Sequence, residues 1–262
     1  MNTASDMRTD LMTMDLGQAV AARHSVRMYT DEPVAPEILQ ALDQEIASCK
    51  ARSGLHLQMA SGLDDAFAGH KTHYGRFKGV HNAIALIGPG AIPADLHDRK
   101  ADQFPLDNPA ERDLQEAVGY WGEQLSLTLV RLGLDNSWAV LDDADQGWWQ
   151  LDEQEHLIWI LAFGHGARAG AKHHSKPMDN LTQLPEGMSL DEAPDWFRAG
   201  MEAAMLAPTS LGQQPFLFTL TESGKVRAQA TTGLFAHVGL GCAKRNFEIG
   251  AASAGKDQVA WE

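Results

Sequence analysis

Residues 119–134 read Gly-Tyr-Trp-Gly-Glu-Gln-Leu-Ser-Leu-Thr-Leu-Val-Arg-Leu-Gly-Leu and contain the second half of the strongest helix pattern of the chain. Between Glu111 and Leu132, residues suited to one helix face recur at helical spacing: Leu114, Ala117, Val118, Trp121, Leu125, Thr128, Leu129 and Leu132. Gly133 follows the last of them, and glycine is common just after the end of a helix. The pattern predicts one long helix over Glu111–Leu132.

Helix and strand patterns alternate on both sides of this long helix. Apolar spacing predicts further helices over residues 15–23, 36–49, 196–206 and 235–249. Short apolar or alternating runs predict strands over residues 55–59, 81–87, 157–163, 216–220 and 226–230. Residues 92–108 are polar and contain proline, and we expect a surface excursion there. Strands interspersed with helices predict an α+β fold.

The composition argues against several classes of protein. The chain has 262 residues, 44% of them hydrophobic, and a formal net charge of −14. Nucleic acids and anionic membranes are unsuitable partners for such an acidic chain, because both require a basic face. No apolar run is long enough to cross a bilayer, and Asp6 and Asp10 interrupt the N-terminus where a signal peptide would be apolar. Cys49 and Cys242 are too few for a disulfide framework, so we expect reduced thiols and a cytoplasmic protein.

The segment Arg23-His24-Ser25-Val26-Arg27 places two guanidinium groups and a hydroxyl within five residues. Guanidinium groups can bind phosphate oxygens through two parallel hydrogen bonds. An acidic chain that binds an anionic cofactor needs such a local concentration of positive charge. The alternative is a solvated surface turn, which the spacing alone favours because arginine pairs of this kind are common.

The segment Ala207-Pro-Thr-Ser-Leu-Gly-Gln-Gln-Pro-Phe216 joins a predicted helix to a predicted strand. Its hydroxyls, carboxamides, glycine and two prolines form a stiff polar loop, which can offer backbone N–H groups and side-chain dipoles to a planar polar ligand. A plain connection between helix and strand is an equally good interpretation at this point.

The histidines do not form a metal-site pattern. His173 and His174 are adjacent, so on a strand they face opposite ways. His70 and His73 flank no cysteine or carboxylate at the spacing of a tetrahedral site, and we expect ordinary surface histidines and no metal. The glycine-rich signatures of dinucleotide and nucleoside triphosphate sites and the serine nucleophile motif are also missing from the sequence. We assign no catalytic acid, base or nucleophile.

Four segments, in this order, resemble the nitroreductase family, and most closely its subgroup of fused, single-chain, thermophile-type nitroreductases. The first is the arginine segment, which resembles the family's N-terminal FMN-phosphate motif, and the second is a loop and strand over Tyr74–Gly88. The third is Gly119–Leu134, which resembles the long central helix and the glycine that ends it, with Trp138 continuing the pattern. The fourth is Ala207–Phe216, which resembles the family's Ala-Pro-Ser-x-x-Asn-x-Gln-Pro-Trp loop. The resemblance runs from about Asp15 to Ala251.

The order of these segments implies a particular architecture. In ordinary nitroreductases the Pro-Ser loop closely follows the arginine motif, and FMN binds where two subunits meet. Here residues 42–59 lack the loop, which appears near the C-terminus instead. The resemblance therefore implies an internally fused pseudo-dimer with a central mixed sheet flanked by helices. We expect a flexible tail over residues 1–14, a first lobe over residues 15–183 and a partial second lobe over residues 184–262. Such a chain could complete a flavin site as a monomer or within a homodimer.

The resemblance also assigns roles to individual residues. It implies that Arg23, Ser25 and Arg27 bind the phosphate and ribityl end of FMN, with His24 in the same motif. It implies that Pro208, Thr209 and Ser210 lie over the ring and ribityl chain, with Gln214 supporting the loop. Gly212 replaces the family's usual Asn; glycine keeps its own backbone N–H and permits a left-handed conformation that could direct it at the ring. Lys172 and Lys176 are candidates for a further basic charge.

The function implied is an FMN-dependent oxidoreductase. It would pass reducing equivalents from NADH or NADPH through the flavin to an electron-poor small molecule. Two alternatives stay open: a flavin-binding or flavin-storage protein with little turnover, and a structural relic without flavin.

Overall fold

The computed structural model of the chain describes residues 11–73, 75–89, 108–142, 144 and 146–262. The described residues of Met1–Ala91 and Gln124–Lys172 form one compact unit, and those of Ile92–Glu123 and His173–Glu262 form a second. The expected excursion up to residue 107, the first ten residues of the expected tail, and Tyr74 all lie outside the described residues. The domain boundary between residues 183 and 184 stays a prediction.

The first unit begins with two helices that confirm the predicted ones. α1 (Leu16–Ala22) starts with a capping box, in which the Gln18 N–H donates to Asp15 Oδ1 at 2.8 Å and the Asp15 N–H donates to Gln18 Oε1 at 2.9 Å. α2 (Pro36–Ser53) has proline at its first position, where the missing N–H is not needed. It ends at Gly54, whose φ of 72° is left-handed.

The long helix predicted from the sequence is present as α3 (Pro109–Arg131). Gly133 follows it with φ 80°, as expected of a residue that ends a helix. Arg131, the last residue of α3, is hydrogen-bonded to the end of the expected tail. The Thr13 N–H donates to the Arg131 carbonyl at 2.8 Å, and Arg131 Nε donates to the Met14 carbonyl at 3.0 Å. Neither α3 nor any other described helix is long and apolar enough to span a membrane.

A four-stranded antiparallel sheet forms the core of the first unit. Its strands, in the order β1-β2-β4-β3, are β1 (His56–Ala60), β2 (Asn82–Pro89), β4 (Glu155–Gly164) and β3 (Asp135–Ala139). In the central pair, Ile84 lies opposite Leu161, and both are 0% exposed. Strands buried on both faces read as continuous apolar runs, which is why β2 and β4 are predictable. β1 is predictable from its alternating pattern, and only Leu57 of its five residues is buried. β3 begins with three polar residues and was not predicted.

The second unit contains a mixed three-stranded sheet, in which β6 pairs in parallel with β5 and antiparallel with β7. These strands are β5 (Thr182–Gln183), β6 (Phe216–Leu220) and β7 (Val226–Ala230). Two helices, α4 (Asp195–Ala204) and α5 (Ala236–Ser253), complete the unit together with the first part of α3. The rings of Phe218 and Phe247 stack with centroids 5.0 Å apart. β6, β7, α4 and α5 confirm the predicted elements.

Candidate functional site

The arginine motif lies in the first unit, immediately after α1. Arg23 ends that helix, because its N–H donates to the Ala19 carbonyl at 2.8 Å, and its residue exposure is only 1%. Ser25 then forms a parallel bridge with Asn136 of β3, and the Val26 N–H donates to the Asn136 carbonyl at 3.0 Å. The motif thus adds a parallel segment at the β3 edge of the sheet, so that the first unit contains both parallel and antiparallel pairing. This placement excludes a solvated surface turn.

Arg27 differs from Arg23 in being exposed. Its guanidinium carbon lies 5.9 Å from the centroid of the Phe77 ring, within the range of a cation–π contact. A Cβ atom on Gly75 would stand 3.4 Å from Arg27 Cδ and Nε, and the Lys78 N–H donates to the Arg27 carbonyl at 2.9 Å. These neighbours hold the stem of Arg27 while the residue remains open to solvent, an arrangement that suits binding of a phosphate group.

His24 is positioned from the other side of the motif. Its Nδ1 lies 3.0 Å from the Ala171 carbonyl oxygen and therefore donates the hydrogen bond. Gly170 approaches so closely that a Cβ atom there would stand 2.4 Å from His24 Cβ. Residue 170 must consequently be glycine for this segment to lie against the motif.

Two supporting residues were missed by the sequence analysis. The hydroxyl of Tyr29 is hydrogen-bonded to the carbonyls of Val26 (2.5 Å) and Ala162 (3.0 Å), and burial, with the negative charge of Asp135, raises the pKa of Tyr29 far above its ordinary value. Asn136 is 0% exposed and exchanges hydrogen bonds with Ser126, at 2.9 Å and 3.0 Å. These contacts fix the backbone that carries the arginines. The only sequence signal for Tyr29 is its place two residues after the motif.

The second group of expected site residues lies in the loop between α4 and β6 of the second unit. Thr209 precedes a short 3-10 turn over Ser210–Gly212, and three residues of the loop are left-handed: Leu211 (φ 53°), Gly212 (φ 67°) and Gln214 (φ 47°). The expected left-handed conformation of Gly212 is therefore present. Its N–H, however, donates to the Thr209 carbonyl at 3.0 Å, so this amide closes the turn and is not directed at a ligand.

Gln214 connects this loop to its surroundings. Its side chain is buried, with Nε2 donating to the Met205 carbonyl at 2.8 Å and Oε1 accepting from the Lys176 N–H at 2.7 Å. Its own N–H donates to Thr209 Oγ1 at 3.1 Å. Lys176 Nζ donates to the Gln214 carbonyl at 3.3 Å, so Lys176 belongs to the loop in the second unit.

The remaining loop residues pack against the start of α5. Pro208 and Thr209 are half-buried, and Ser210 is 8% exposed. A Cβ atom on Gly239 would stand 3.1 Å from Thr209 Cγ2. The structure thus brings Arg23, His24, Ser25 and Arg27 together in the first unit, and brings Lys176 together with residues 208–214 in the second.

One group among the described residues has the composition of a metal site: His56, Asp152 and Glu155, whose candidate ligand atoms lie within 4.8 Å of one another. Gln150 fixes the Gln58 amide, since its N–H donates to Oε1 (2.9 Å) and its carbonyl accepts from Nε2 (2.6 Å). Gln58 Nε2 in turn donates to His56 Nε2 at 3.1 Å, so the ring proton is on Nδ1, which donates to Glu155 at 2.7 Å. Burial raises the pKa of Glu155, but the hydrogen bonds from His56 and Asp152 lower it to below its ordinary value. Both ring nitrogens of His56 are engaged, and the group is a hydrogen-bond network.

Comparison with known proteins finds one family model and one solved structure that match most of the chain. A family model described as "Putative TM nitroreductase" matches residues 15–99 and 104–251. The solved structure of "a putative nitroreductase" from Thermotoga maritima is 17% identical, with the likeness covering 92% of this chain and 85% of that chain at a TM-score of 0.56. This likeness confirms the expected α+β, nitroreductase-like fold. No curated protein sequence matches the chain.

Two further solved structures resemble a smaller part of the chain. "A putative nitroreductase in complex with FMN" from Desulfovibrio desulfuricans is 21% identical and covers 64% of this chain and 95% of its own, with a TM-score of 0.43. A "Putative NADH dehydrogenase/NAD(P)H nitroreductase" from Bacteroides thetaiotaomicron is 15% identical and covers 64% of this chain and 96% of its own, with a TM-score of 0.45.

Proposed function

The chain belongs to the nitroreductase family, and on that premise we propose that it is an FMN-dependent oxidoreductase, which passes reducing equivalents from NADH or NADPH to an electron-poor small molecule. The observation that carries the proposal is the fixed backbone of the arginine motif together with the exposure of its last residue. Its backbone is fixed at a sheet edge, and Arg27 at its end is held by its stem and remains exposed.

The positive charge of the arginine motif suits the negatively charged phosphate end of FMN. A phosphate monoester carries close to two negative charges near neutral pH, whereas the chain as a whole has a formal net charge of −14. Affinity for that phosphate therefore depends on local cations. Arg27 can donate two parallel hydrogen bonds to phosphate oxygens, and the buried Arg23 adds positive charge to the same segment.

The loop at residues 208–214 is held rigidly, which suits the binding of a planar polar ligand. Gln214 fixes both ends of the turn, through Thr209 on one side and Met205 on the other. Lys176 adds an ammonium group that donates to the loop. A loop held in this way loses little conformational entropy when a ring packs against it, which favours binding.

When bound, FMN supplies the redox chemistry, by accepting a hydride from the reduced nicotinamide and delivering reducing equivalents to the acceptor. Of this chain's own residues, Arg23, Ser25 and Arg27 of the first unit would bind the phosphate of that group. For its ring, the candidates are Pro208, Thr209 and Ser210 of the second unit, in the same chain or in a second copy. Cys49 and Cys242 are buried and form no disulfide, which suits the reducing cytoplasm that we propose as the location.

Anaerobic reduction of the reconstituted protein tests the proposal. The purified chain, loaded with FMN, should be yellow, should bleach when NADH or NADPH is added, and should recover its colour when a nitroaromatic compound or a quinone follows. A yellow protein that neither nucleotide bleaches would contradict turnover and would favour the flavin-storage alternative. Protein that takes up no FMN would contradict the proposal altogether and favour a relic.

A further inference from the structure

The N-terminus of α5 is buried and has no side-chain cap. Phe235 precedes the helix with φ 48° and ψ 44° and provides no side-chain capping bond. Gly239 is the first residue of this helix whose N–H has a backbone partner, the Phe235 carbonyl at 3.1 Å. The N–H groups of Ala236, His237 and Val238 have no hydrogen-bond partner within the described part of the chain. Backbone N–H groups at a helix start carry partial positive charge and require acceptors.

A second, independent observation at this helix start is the imidazole of His237. The residue is 9% exposed, and neither Nδ1 nor Nε2 has a hydrogen-bond partner among the described residues. Because side chains on an α-helix lean toward its N-terminus, we expect the imidazole of this second helical residue on the side of these N–H groups. Buried polar atoms are nearly always hydrogen-bonded in native proteins, so four groups that the described residues leave unmet at one helix start indicate an acceptor from outside those residues.

The charges around His237 allow that acceptor to be an anion. Burial lowers the pKa of His237, with Glu116 and Asp113 of α3 acting to raise it and Arg112 to lower it. The ring is therefore neutral near neutral pH, with one nitrogen able to donate. Lys244 Nζ lies 2.5 Å from Glu116 Oε1, which offsets the carboxylate that would otherwise repel an anion.

We propose that the N-terminus of α5, with His237, binds one oxyanion group, a carboxylate or a phosphate, of a small molecule. The helix start offers four donors: the N–H groups of residues 236–238 and one nitrogen of the neutral imidazole. Oxyanions bind at helix N-termini because backbone N–H groups and the helix dipole both favour negative charge. This site involves no residue of the arginine motif, and it goes beyond the function proposed above.

The proposed anion site adjoins the loop at residues 208–214 within the second unit. The Leu234 N–H, just before α5, donates to Gln213 Oε1 at 2.9 Å. Thr209 packs against Gly239 in the first turns of the helix. A molecule whose oxyanion occupies this helix start would therefore extend along a loop that is already rigid.

Titration of the apo chain with inorganic phosphate, and separately with acetate, tests the site. His237→Leu removes the imidazole, and His237→Gln keeps a donor of similar reach in case the leucine variant does not fold. Asn246→Leu is the matched control, because Asn246 lies on the same helix, is 0% exposed and likewise lacks side-chain partners among the described residues. Arg27→Ala separates this site from the arginine motif, which could also bind phosphate.

We expect wild type, Asn246→Leu and Arg27→Ala to bind at least one of the two anions saturably. In an NMR titration, the midpoint for the His237 imidazole should rise when the anion is present. His237→Leu should bind the anion at least about tenfold more weakly, the worth of one hydrogen bond to a charged group. Equal affinity in His237→Leu and wild type would overturn the proposal. So would loss of binding in Arg27→Ala alone, or an imidazole titration that neither anion shifts.

Discussion

Gly119 in α3 approaches Val238 in α5 so closely that a Cβ atom on Gly119 would stand 2.0 Å from the Val238 carbonyl oxygen. The relationship is reciprocal within the second unit, since a Cβ atom on Gly241 would stand 2.0 Å from the Glu116 carbonyl oxygen. Only glycine permits backbones to meet at this distance. We expect Gly119→Ala to destabilise the protein by about 1–3 kcal/mol or more, because the methyl group forces the helices apart.

Urea unfolding measures this effect, and Gly17→Ala in α1 is its control. A Cβ atom on Gly17 would meet only Asp15 Oδ1 at 3.4 Å, an ordinary contact. Alanine there should be neutral or should stabilise the helix by about 0.5–1 kcal/mol. If Gly119→Ala and Gly17→Ala unfold at the same urea concentration, the close crossing of α3 and α5 is wrong.

Gly212 should tolerate asparagine. Its φ of 67° suits Asn, which enters the left-handed region more readily than most residues, and a Cβ atom there would meet nothing within 4 Å. Because the Gly212 N–H already donates to Thr209, the substitution adds only a side-chain amide, which could strengthen FMN binding by on the order of 1 kcal/mol. Gly212→Val, strained at this φ, should cost about 1–2 kcal/mol of stability. Thermal unfolding, FMN titration and NAD(P)H bleaching of both variants decide the matter, and clear loss of FMN binding or bleaching in Gly212→Asn would refute it.

Gln214 should be essential to the loop. Replacing it with alanine leaves the Lys176 N–H without its partner and leaves the Met205 carbonyl with the Ser175 hydroxyl alone, and we expect a loss of about 1–3 kcal/mol in the free energy of unfolding. Gln229→Ala, at an exposed position of β7, should change stability by less than about 0.5 kcal/mol. Denaturant unfolding of both variants provides the comparison; similar stabilities would show that the Gln214 hydrogen bonds contribute nothing.

His81 should make stability depend on pH. Its Nδ1 donates to the Leu63 carbonyl at 2.7 Å and its Nε2 lies 3.1 Å from Asp31 Oδ1, and these two contacts raise its pKa. A raised pKa in the folded state means that protonation stabilises the protein. The contribution is fully present below the ordinary histidine value of about 6.5 and is lost as the pH rises through the folded value.

Unfolding of His81→Gln at about pH 5.5 and about pH 8 checks this sign. The stability difference between wild type and the variant should be larger at the lower pH. The increase should be only a few tenths of a kcal/mol, because Asp31 is exposed and its ion pair with His81 is weak. His174→Gln, at an exposed position, should show no such difference. A larger deficit at the higher pH would reverse the assignment.

The sequence predicts most of the fold because its helices and central strands have strong apolar patterns. α3 has a regular stripe and a glycine after its end, and β2 and β4 are continuous apolar runs. β3 is different: Asp135, Asn136 and Ser137 are polar, and Asn136 is fully buried because Ser126, which lies in the preceding helix, satisfies its side chain. No local pattern contains that information.

The site residues are found by resemblance, but their individual states are not. Sequence spacing gives Arg23 and Arg27 the same character, yet one is buried and the other exposed. The difference arises from tertiary contacts, with Phe77 and Gly75 holding Arg27. Likewise, glycine at position 212 suggests a free N–H, whereas the turn uses that N–H for the Thr209 carbonyl.

Titration of the apo chain with FMN, followed by quenching of flavin fluorescence, tests the central claim most directly. Wild type should bind FMN saturably. Arg27→Ala should bind it about tenfold to a hundredfold more weakly, because one charge-assisted phosphate contact contributes about 1.5–3 kcal/mol. Arg52→Ala, which removes an exposed arginine in the last turn of α2, should bind as wild type does. Identical FMN affinity in wild type and Arg27→Ala, or no binding by wild type at all, would contradict the account.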